Sequence, residues 1–278
     1  MNDRSDPDGQ AFSLSLSRLL TTKTFGKPLH FFPSIDSTNT HAARLAREGA
    51  TEGTAVIADE QTGGKGRLGR SWVSPPGVNL HLSLILRPPL ATTLVPQINL
   101  LAAIAVANAI RDVSSLSPAI KWPNDVLLQG KKVCGILAEM QTETGTLRSV
   151  VLGIGVNVNA PLSAFPPELH DKASSLFLTG GQFIDRAVFT AALLTHLEKL
   201  YVLWLERGFL AVRPAWEHYA AGLIGQQITV AAPEGTITGV VLGLDSDGAL
   251  LLQDEGTTRR ILAGDVTVVG GYARGETS

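Results

Sequence analysis

Cysteine is nearly absent from this sequence, which has Cys134 as its only one in 278 residues. A single cysteine can form no intramolecular disulfide and no cysteine-based zinc site, so both devices are excluded. The histidines lie without the short spacings typical of metal ligands, and we interpret all of them as structural or surface residues. They are His30, His41, His81, His170, His196 and His218. The sequence thus leaves the ligands of any metal ion unspecified.

An excess of charge of either sign is also missing, because 23 Lys and Arg oppose 25 Asp and Glu. This balance provides no general attraction to nucleic acids or anionic lipids, so an anion site must be local. The polar start MNDRSDPDGQ is unlike a signal peptide. The longest apolar segment, residues 94–110, contains three amide side chains and is too short for a bilayer span. We predict a cytoplasmic protein without nucleic-acid or membrane partners.

Apolar residues make up 44% of the chain, enough for a sizeable core. The predicted elements favour an α+β fold, with a mixed β-sheet flanked by helices and a small β-barrel of about five strands after it. We predict an N-terminal extension (1–28), a main domain (29–222) and the barrel (223–278). In the extension, residues 1–10 are predicted to be disordered and FSLSLSRLL to form a short helix.

Hydrophobic spacing predicts the main helices. One begins with Ser37 or Thr38 as N-cap, a second is the buried segment 94–112, and a third lies within 183–221. The third is predicted to present one apolar face. That face consists of Leu194, Leu197, Tyr201 and Leu205.

The glycine-rich stretch GGKGRLGRSW (63–72) satisfies the pattern of a dinucleotide-binding turn. That turn requires a helix at its second or third glycine, yet Pro75-Pro76-Gly77 follows. A Walker-type phosphate loop is also excluded, because Gly66 stands where Ser or Thr is required. The stretch therefore belongs to neither class.

The cations of this stretch, Lys65, Arg67 and Arg70, favour a loop that orders around an anionic ligand. Charged side chains and exposed glycine amides can donate hydrogen bonds to phosphate or carboxylate oxygens. Each charged hydrogen bond contributes about 1.5–3 kcal/mol to binding. Trp72 adds an apolar surface for stacking. A solvated surface loop is the alternative for this stretch taken alone. We expect it to be mobile without ligand, because glycine entropy and charge repulsion both oppose order.

Three further stretches carry polar groups at strand or helix ends. In KWPND (121–125), Pro123 favours an extended Trp122, which places Lys121 on or beside a strand. A merely solvated lysine is the alternative there. DSTN (36–39) supplies polar groups at a helix start, and GIGVNVN (153–159) is a strand interrupted by glycine, where a ligand can approach closely.

Together these stretches resemble the biotin protein ligases, the enzymes that biotinylate carboxylases, and the C-terminal barrel is similar to the SH3-like module of that family. The resemblance implies a catalytic domain of the type found in class II aminoacyl-tRNA synthetases. It rests on five motifs in order, namely Asp36–Asn39, Gln61 with Gly64–Trp72, Lys121–Asp125, Gly135–Glu139 and Gly153–Asn157.

The sequence departs from the family pattern at two places. Lys65 stands where many members carry arginine, which keeps the charge but loses the bidentate fork. The pattern also begins near Leu29, which leaves no room for the DNA-binding domain of members that act as repressors. The resemblance therefore implies the monofunctional type.

The resemblance implies that ATP activates biotin as biotinyl-5′-AMP, with Mg²⁺ as the expected ion, and that a lysine of a biotin carboxyl carrier protein then accepts biotin. Lys121 and Arg67 are implied to be catalytic, with Lys121 bridging the biotin carboxylate and the α-phosphate oxygens. Lys121→Ala is therefore expected to retain biotin binding but lose most adenylation. The implied biotin-binding residues are Ser37, Thr38, Asn39, Gln61, Lys65, Gly66, Arg67 and Lys121. The implied nucleotide-binding residues are Arg67, Arg70, Trp72, Asn124 and Asn157.

Two other functions are weighed against this one. A lipoate–protein ligase shares the adenylation chemistry but lacks the cationic glycine loop. A non-enzymatic biotin sensor or a DNA-binding repressor is disfavoured by the balanced charge. A homodimer is compatible with the sequence.

Overall fold

The computed structural model describes residues 7–232 and 235–269. The predictions for residues 1–6, for the turn at 233–234 and for the end of the chain lie outside these residues. The helices are α1 (Pro7–Leu19), α2 (Thr38–Arg47), α3 (Pro96–Val113), α4 (Leu176–Gly180), α5 (Arg186–Arg207) and α6 (Arg213–Tyr219). The strands are β1 (Leu29–Ile35), β2 (Ala55–Gln61), β3 (Leu80–Leu86), β4 (Ala119–Lys121), β5 (Asp125–Leu128), β6 (Lys131–Glu143), β7 (Thr146–Val156), β8 (Gln227–Ala232), β9 (Gly235–Leu244), β10 (Leu250–Asp254), β11 (Thr257–Ile261) and β12 (Asp265–Val268).

The first seven strands form one sheet in the order β1-β2-β3-β7-β6-β5-β4. Strands β1 and β2 are parallel, and the other neighbours are antiparallel, so the sheet is mixed as predicted. Helix α2 packs on one face through Ala42 and Ala46, against Val56 and Ile85. Helices α3 and α5 contact each other, and α3 packs on β6 of the sheet. The α2 face carries the candidate site.

Helices α3 and α5 belong to two described stretches that are long and apolar enough to span a bilayer, Thr92–Val113 and Arg186–Arg207. The prediction that the α3 segment is too short for a span is therefore wrong, because the helical stretch extends beyond residues 94–110. The stretch Thr92–Val113 is 72% buried inside the protein, which confirms the predicted core helix. On α5, Leu194, Leu197 and Tyr201 are buried, but Leu205 is 38% exposed. The prediction that Leu205 shares the apolar face is therefore wrong, because in the last turn of the helix Trp204, at 3% exposure, is the residue that packs against the core.

Helix α1 begins at Pro7, so the prediction of disorder is wrong for residues 7–10. Proline is well placed at the start of a helix, since its missing N–H has no intrahelical partner there anyway. Leu16 of this helix is fully buried, and α1 contacts α5. Tertiary packing therefore stabilises a helix whose sequence alone is polar at its start.

The last five strands form a separate sheet in the order β11-β10-β9-β8-β12, which matches the predicted SH3-like module. Its turn between β9 and β10 docks on the main domain. Gln97 of α3 donates to the Asp247 carbonyl at 3.0 Å, and the Trp122 indole donates to the Gly248 carbonyl at 3.3 Å. The C-terminal module is thereby seated beside KWPND.

Candidate active site

A row of paired residues crosses the α2 face of the main sheet. Strand register pairs His81 with Gly155, Gly155 with Gly135, Gly135 with Asp125, and Asp125 with Lys121. Paired residues of neighbouring antiparallel strands project to the same face. The two glycines therefore open a gap in the middle of a row that has a histidine on one side and an Asp–Lys pair on the other.

The indole of Trp72 covers this glycine gap. A Cβ atom on Gly155 would lie 2.6 Å from the ring, and one on Gly135 would lie 2.9 Å from it. Any larger residue at either position would displace the indole. The strand predicted to be interrupted by glycine at 153–159 is therefore a point of close approach, as expected. The group that lies against it is the Trp72 side chain of the same protein.

Next to this row, the start of α2 contributes a network of neutral polar groups. Ser37 is the N-cap of the helix, as predicted. The Thr38 hydroxyl donates to Gln61 Oε1 at 3.0 Å, and the Thr38 amide donates to the same oxygen at 2.8 Å. Asn39 donates from Nδ2 to Glu139 at 2.6 Å, and its Oδ1 accepts from the Ser83 hydroxyl at 2.6 Å. These bonds orient the polar side chains that line a small inner cavity.

Two adjoining cavities lie on this face, an inner one of about 50 Å³ and an outer one of about 390 Å³. Every residue that the sequence assigned to biotin or nucleotide lines at least one of them. The predicted residues of the inner cavity are Ser37, Thr38, Asn39, Gln61, Lys65, Gly66, Arg67, Trp72 and Asn124. Those of the outer cavity are Gly66, Arg67, Arg70, Trp72, Lys121, Asn124 and Asn157.

The glycine loop 63–72 forms a small hairpin over the junction of the cavities. The Gly66 amide donates to the Arg70 carbonyl at 2.6 Å, and the Trp72 amide donates to the Gly64 carbonyl at 2.9 Å. At its tip, Leu68 adopts a φ of 56° and is 77% exposed. A leucine in the left-handed region is strained. The exposure of its side chain shows that packing constrains the tip of the loop little.

Two arginines of the loop contact the C-terminal module, a connection that sequence reasoning missed. Arg67 donates from Nη1 to Asn124 Oδ1 at 2.8 Å and lies 3.6 Å from an Asp265 carboxylate oxygen. Arg70 forms an ion pair with the other oxygen of Asp265. No pattern near residue 265 signals this contact, because the two partners are 195 residues apart.

Lys132 is a second lysine of the site that sequence reasoning missed. It lines both cavities, whereas Lys121 lines the outer one. Lys132 Nζ lies 2.7 Å from Asp125 Oδ1 and 5.7 Å from the centroid of the Trp72 ring. Burial lowers the pKa of Lys121, and Asp125 partly offsets that shift. Because Lys132 lines both cavities and Lys121 lines the outer one, Lys132 is the lysine at the junction of the cavities.

A shift in strand register explains why Lys132 escaped detection. Cys134 pairs with Val126, but Lys132 rather than Val133 pairs with Leu127. Such a β-bulge adds one residue to a strand and re-aims the side chains beyond it. Strict alternation back from Gly135 would instead place Lys131 on the site face. Lys131 in fact donates to the His170 carbonyl at 2.8 Å.

Asn157 lines the outer cavity, but its own hydrogen bonds serve the fold. Its Nδ2 donates to the Ser174 carbonyl at 3.0 Å, and its amide donates to the Val133 carbonyl at 2.8 Å. Asn124 similarly donates from Nδ2 to the Ile136 carbonyl at 2.7 Å, while its Oδ1 holds Arg67. Both asparagines therefore shape the site from buried positions.

Comparison with known proteins bears directly on these cavities. Residues 31–157 match the model of the biotin/lipoate A/B protein ligase family, and residues 223–269 match that of the biotin protein ligase C-terminal domain. A bifunctional ligase/repressor BirA from Bacillus subtilis is 42% identical over 247 residues, covering 89% of this chain and 76% of that protein. This chain belongs to the biotin protein ligase family.

Other biotin protein ligases align over most of their length. A biotin–[acetyl-CoA-carboxylase] ligase from Paracoccus denitrificans is 36% identical, and the alignment covers 83% of this chain and 96% of that ligase. The structure of a biotin protein ligase from Aquifex aeolicus in complex with biotin and ATP superposes with a TM-score of 0.76 and 32% identity. This superposition covers 87% of this chain and 99% of the Aquifex aeolicus chain. The fold predicted from the sequence is thus confirmed.

The two matched segments of the biotin protein ligase family meet at the outer cavity. The first segment contains the glycine loop, Lys121 and Lys132, and the second contains Asp265. Asp265 lines the outer cavity together with Val266 and Thr267 of β12. The C-terminal domain therefore forms one wall of the candidate site.

Proposed function

We propose that this chain is a biotin protein ligase, which converts biotin and ATP into biotinyl-5′-AMP and pyrophosphate and then transfers biotin to a lysine of a carboxylase carrier domain. One observation carries the proposal. A cavity whose α2 side carries neutral polar groups meets a cation-lined cavity at a junction lined by Lys132, Arg67 and Trp72. This arrangement suits a neutral ring system with a carboxylate tail on one side and a nucleotide on the other.

The inner cavity fits the head group of biotin. A cyclic urea is uncharged and offers both hydrogen-bond donors and an acceptor, so it requires neutral partners of both kinds. Thr38 and Gln61 supply such groups, and the Ser37 and Asn39 side chains complete the wall. Hydrogen bonds of this kind reject analogues that lack the polar groups, because buried partners would be left unsatisfied.

The junction is suited to the first reaction. A carboxylate oxygen of biotin attacks the α-phosphorus of ATP, the bond to the β-phosphate oxygen breaks, and pyrophosphate leaves. Bringing a carboxylate to a triphosphate opposes like charges, and fixed cations at the reacting atoms offset that repulsion. We place Lys132 and Arg67 there, with Lys65 beside them in the inner cavity.

Lys121 takes a different place in this proposal from the bridging role that the resemblance implied. It lines the outer cavity on the far side of Asp125, where it faces the nucleotide together with Arg70. Lys132 bridges the two cavities instead. The assignment of both lysines is part of the proposal.

The second reaction needs no covalent enzyme intermediate. The amine of a carrier lysine attacks the acyl carbon of the adenylate, loses a proton, and releases AMP. The acceptor proposed here is a biotin carboxyl carrier protein, in line with the acetyl-CoA-carboxylase ligases among the relatives. The loop at residues 63–72 shields the mixed anhydride from water until the carrier arrives.

Mg²⁺ fits the site as part of the ATP substrate. Within residues 7–232 and 235–269, no cluster of three or more His, Cys, Asp or Glu residues is arranged to hold a metal ion. Magnesium is commonly held by one or two carboxylates together with substrate phosphates and water. Asp125 of the outer cavity supplies one such carboxylate. When bound with ATP, the ion would neutralise phosphate charge, and the residues named above bind and orient the reactants.

The alternatives are weaker. The first family model covers lipoate as well as biotin ligases, but the Paracoccus denitrificans and Aquifex aeolicus relatives are biotin ligases. A non-enzymatic sensor does not require a cationic junction between two cavities. We also propose that the protein acts in the cytoplasm without nucleic-acid or membrane partners. The homodimer, and the domain boundaries after residues 28 and 222, stay hypotheses.

The decisive experiment is exchange of labelled pyrophosphate into ATP by the purified protein. We expect exchange with biotin and Mg²⁺, and none when lipoate replaces biotin or when biotin is omitted. Exchange without biotin, or with lipoate alone, would contradict the proposal. Mass spectrometry of a carrier domain incubated with the protein, biotin and ATP then tests transfer to lysine, with a Lys→Arg carrier as the control.

A further inference from the structure

His81 lies on the floor of the inner cavity with its hydrogen-bonding groups unused. It is on β3, paired with Ala58 of β2 and Gly155 of β7. The side chain is only 1% exposed. Neither Nδ1 nor Nε2 has a hydrogen-bond partner among the residues that the structure describes. Buried polar groups are nearly always satisfied, so two orphaned ring nitrogens in one cavity wall call for a partner.

Of the polar groups near His81, Ser83 and Arg186 are already paired, whereas the Trp72 indole N–H above Gly155 also has no hydrogen-bond partner among the described residues. Ser83, two residues further along the same strand, lies within hydrogen-bond distance of Thr38 and Asn39. Arg186 forms an ion pair with Asp59 at 2.6 Å and donates to a backbone carbonyl. Since Ser83 and Arg186 are engaged and the Trp72 indole makes no hydrogen bond to His81, we look to a ligand in the cavity for the partner of His81.

The imidazole of His81 is neutral at ordinary pH. Burial is the main cause, and Arg186 the second, of a pKa lowered to about 4. A neutral imidazole has one N–H donor and one nitrogen acceptor, and its tautomer adapts to the partner. This chemistry matches an uncharged group that both donates and accepts, and it does not suit a carboxylate or a phosphate.

We propose that His81 is a substrate-binding residue whose neutral imidazole hydrogen-bonds the cyclic urea of biotin in the inner cavity. This inference rests on the proposed function and adds to it a residue outside the family motifs of the sequence. Ring N–H and carbonyl groups of a urea complement either tautomer of His81. No bond forms or breaks at His81, so its contribution is to affinity and selectivity and not to the chemical step.

The test compares three variants by calorimetric titration with biotin in the absence of ATP. His81→Phe keeps an aromatic ring and removes both nitrogens, whereas His81→Gln restores a donor and an acceptor. His196→Phe is the matched control, because His196 pairs with Asp112 and lines neither cavity. We expect His81→Phe to raise the Kd for biotin about two- to tenfold, the range expected for one uncharged hydrogen bond. His81→Gln should recover part of the loss, and His196→Phe should match the wild type.

A second readout separates binding from folding. If His81 binds the urea, His81→Phe raises KM for biotin with little change in kcat or in the Kd for ATP. A biotin affinity equal to wild type in a folded His81→Phe protein would overturn the inference. An equal loss of ATP and biotin affinity would overturn it too, since that indicates a structural role. Wild-type protein that fails to bind biotin would instead contradict the proposed function.

Discussion

At the scale of single residues, the position of Lys132 has the clearest consequence for activity. Its Nζ is held by Asp125 at 2.7 Å beside the Trp72 ring, at the junction of the two cavities. A cation fixed where negative charge develops is a typical source of transition-state stabilisation. Its neighbour Lys131 is bound to the His170 carbonyl and lines neither cavity. The two adjacent lysines form a natural pair for comparison.

We predict that Lys132→Ala lowers the rate of biotin-dependent pyrophosphate exchange by about 10²–10³, the usual cost of removing one preorganised group. Lys131→Ala should keep near wild-type exchange.

Lys121→Ala should raise KM for ATP and leave the biotin Kd unchanged, because Lys121 lines the outer cavity. Near-normal exchange by folded Lys132→Ala, with a large loss in Lys121→Ala, would return the bridging role to Lys121.

Single residues also show where prediction from sequence succeeds. Ser37 as N-cap follows from local hydrogen bonding, and it is confirmed. Gly155 beneath Trp72 was predictable as a point of close approach, but Gly135 and the indole that covers both glycines were not. Lys132 was out of reach because a bulge breaks the alternation of its own hairpin, and His81 because the burial of its ring nitrogens depends on strands far apart in the chain.

At the scale of elements, the loop 63–72 decides access to the site. Its hairpin hydrogen bonds and the contact of Trp72 with the glycine gap place it over the inner cavity, which is the smaller of the two. A biotin head group cannot share the space now filled by the indole, so we expect the loop to move when ligand enters. Loops that close over a reactive intermediate commonly open and close in this way.

Hydrogen exchange measures this motion directly. We predict that amides of residues 63–72 exchange faster in the protein alone than in the protein with biotin and ATP together. The strands β6 and β7 beneath the loop provide the internal control, because their paired amides should change little. Equal exchange of the loop with and without both ligands would show that it is not a cover for the adenylate.

At the scale of the whole molecule, the C-terminal module completes the site that the main domain begins. Asp265 of β12 holds Arg67 and Arg70 across the outer cavity. On the other side of KWPND, Trp122 and Gln97 bind the turn between β9 and β10. The loop 63–72 is thus attached to both modules. We therefore expect its conformation to depend on the contact between the main domain and the C-terminal module.

We predict that Asp265→Asn speeds hydrogen exchange of residues 63–72 in the ligand-free protein by up to about fivefold. Partly exposed ion pairs contribute roughly 0.2–1 kcal/mol, so the free energy of unfolding should fall by less than about 1 kcal/mol. Asp254→Asn is the matched control, since Asp254 pairs with Arg259 within the same module. Identical loop exchange in Asp265→Asn and Asp254→Asn would show that Asp265 does not hold the loop.

The sequence by itself determined the order of the main elements, the glycine loop and the family, because each depends on residue types at short, fixed spacings. Only the tertiary structure decided which cation lies at the junction, what covers the glycine gap, and which carboxylate holds the loop. Lys132, Trp72 and Asp265 take these places through a β-bulge, an inter-strand register and a contact between modules. The bulge departs from strict strand alternation within one hairpin, and the other two depend on contacts between distant segments, so local patterns encode none of them.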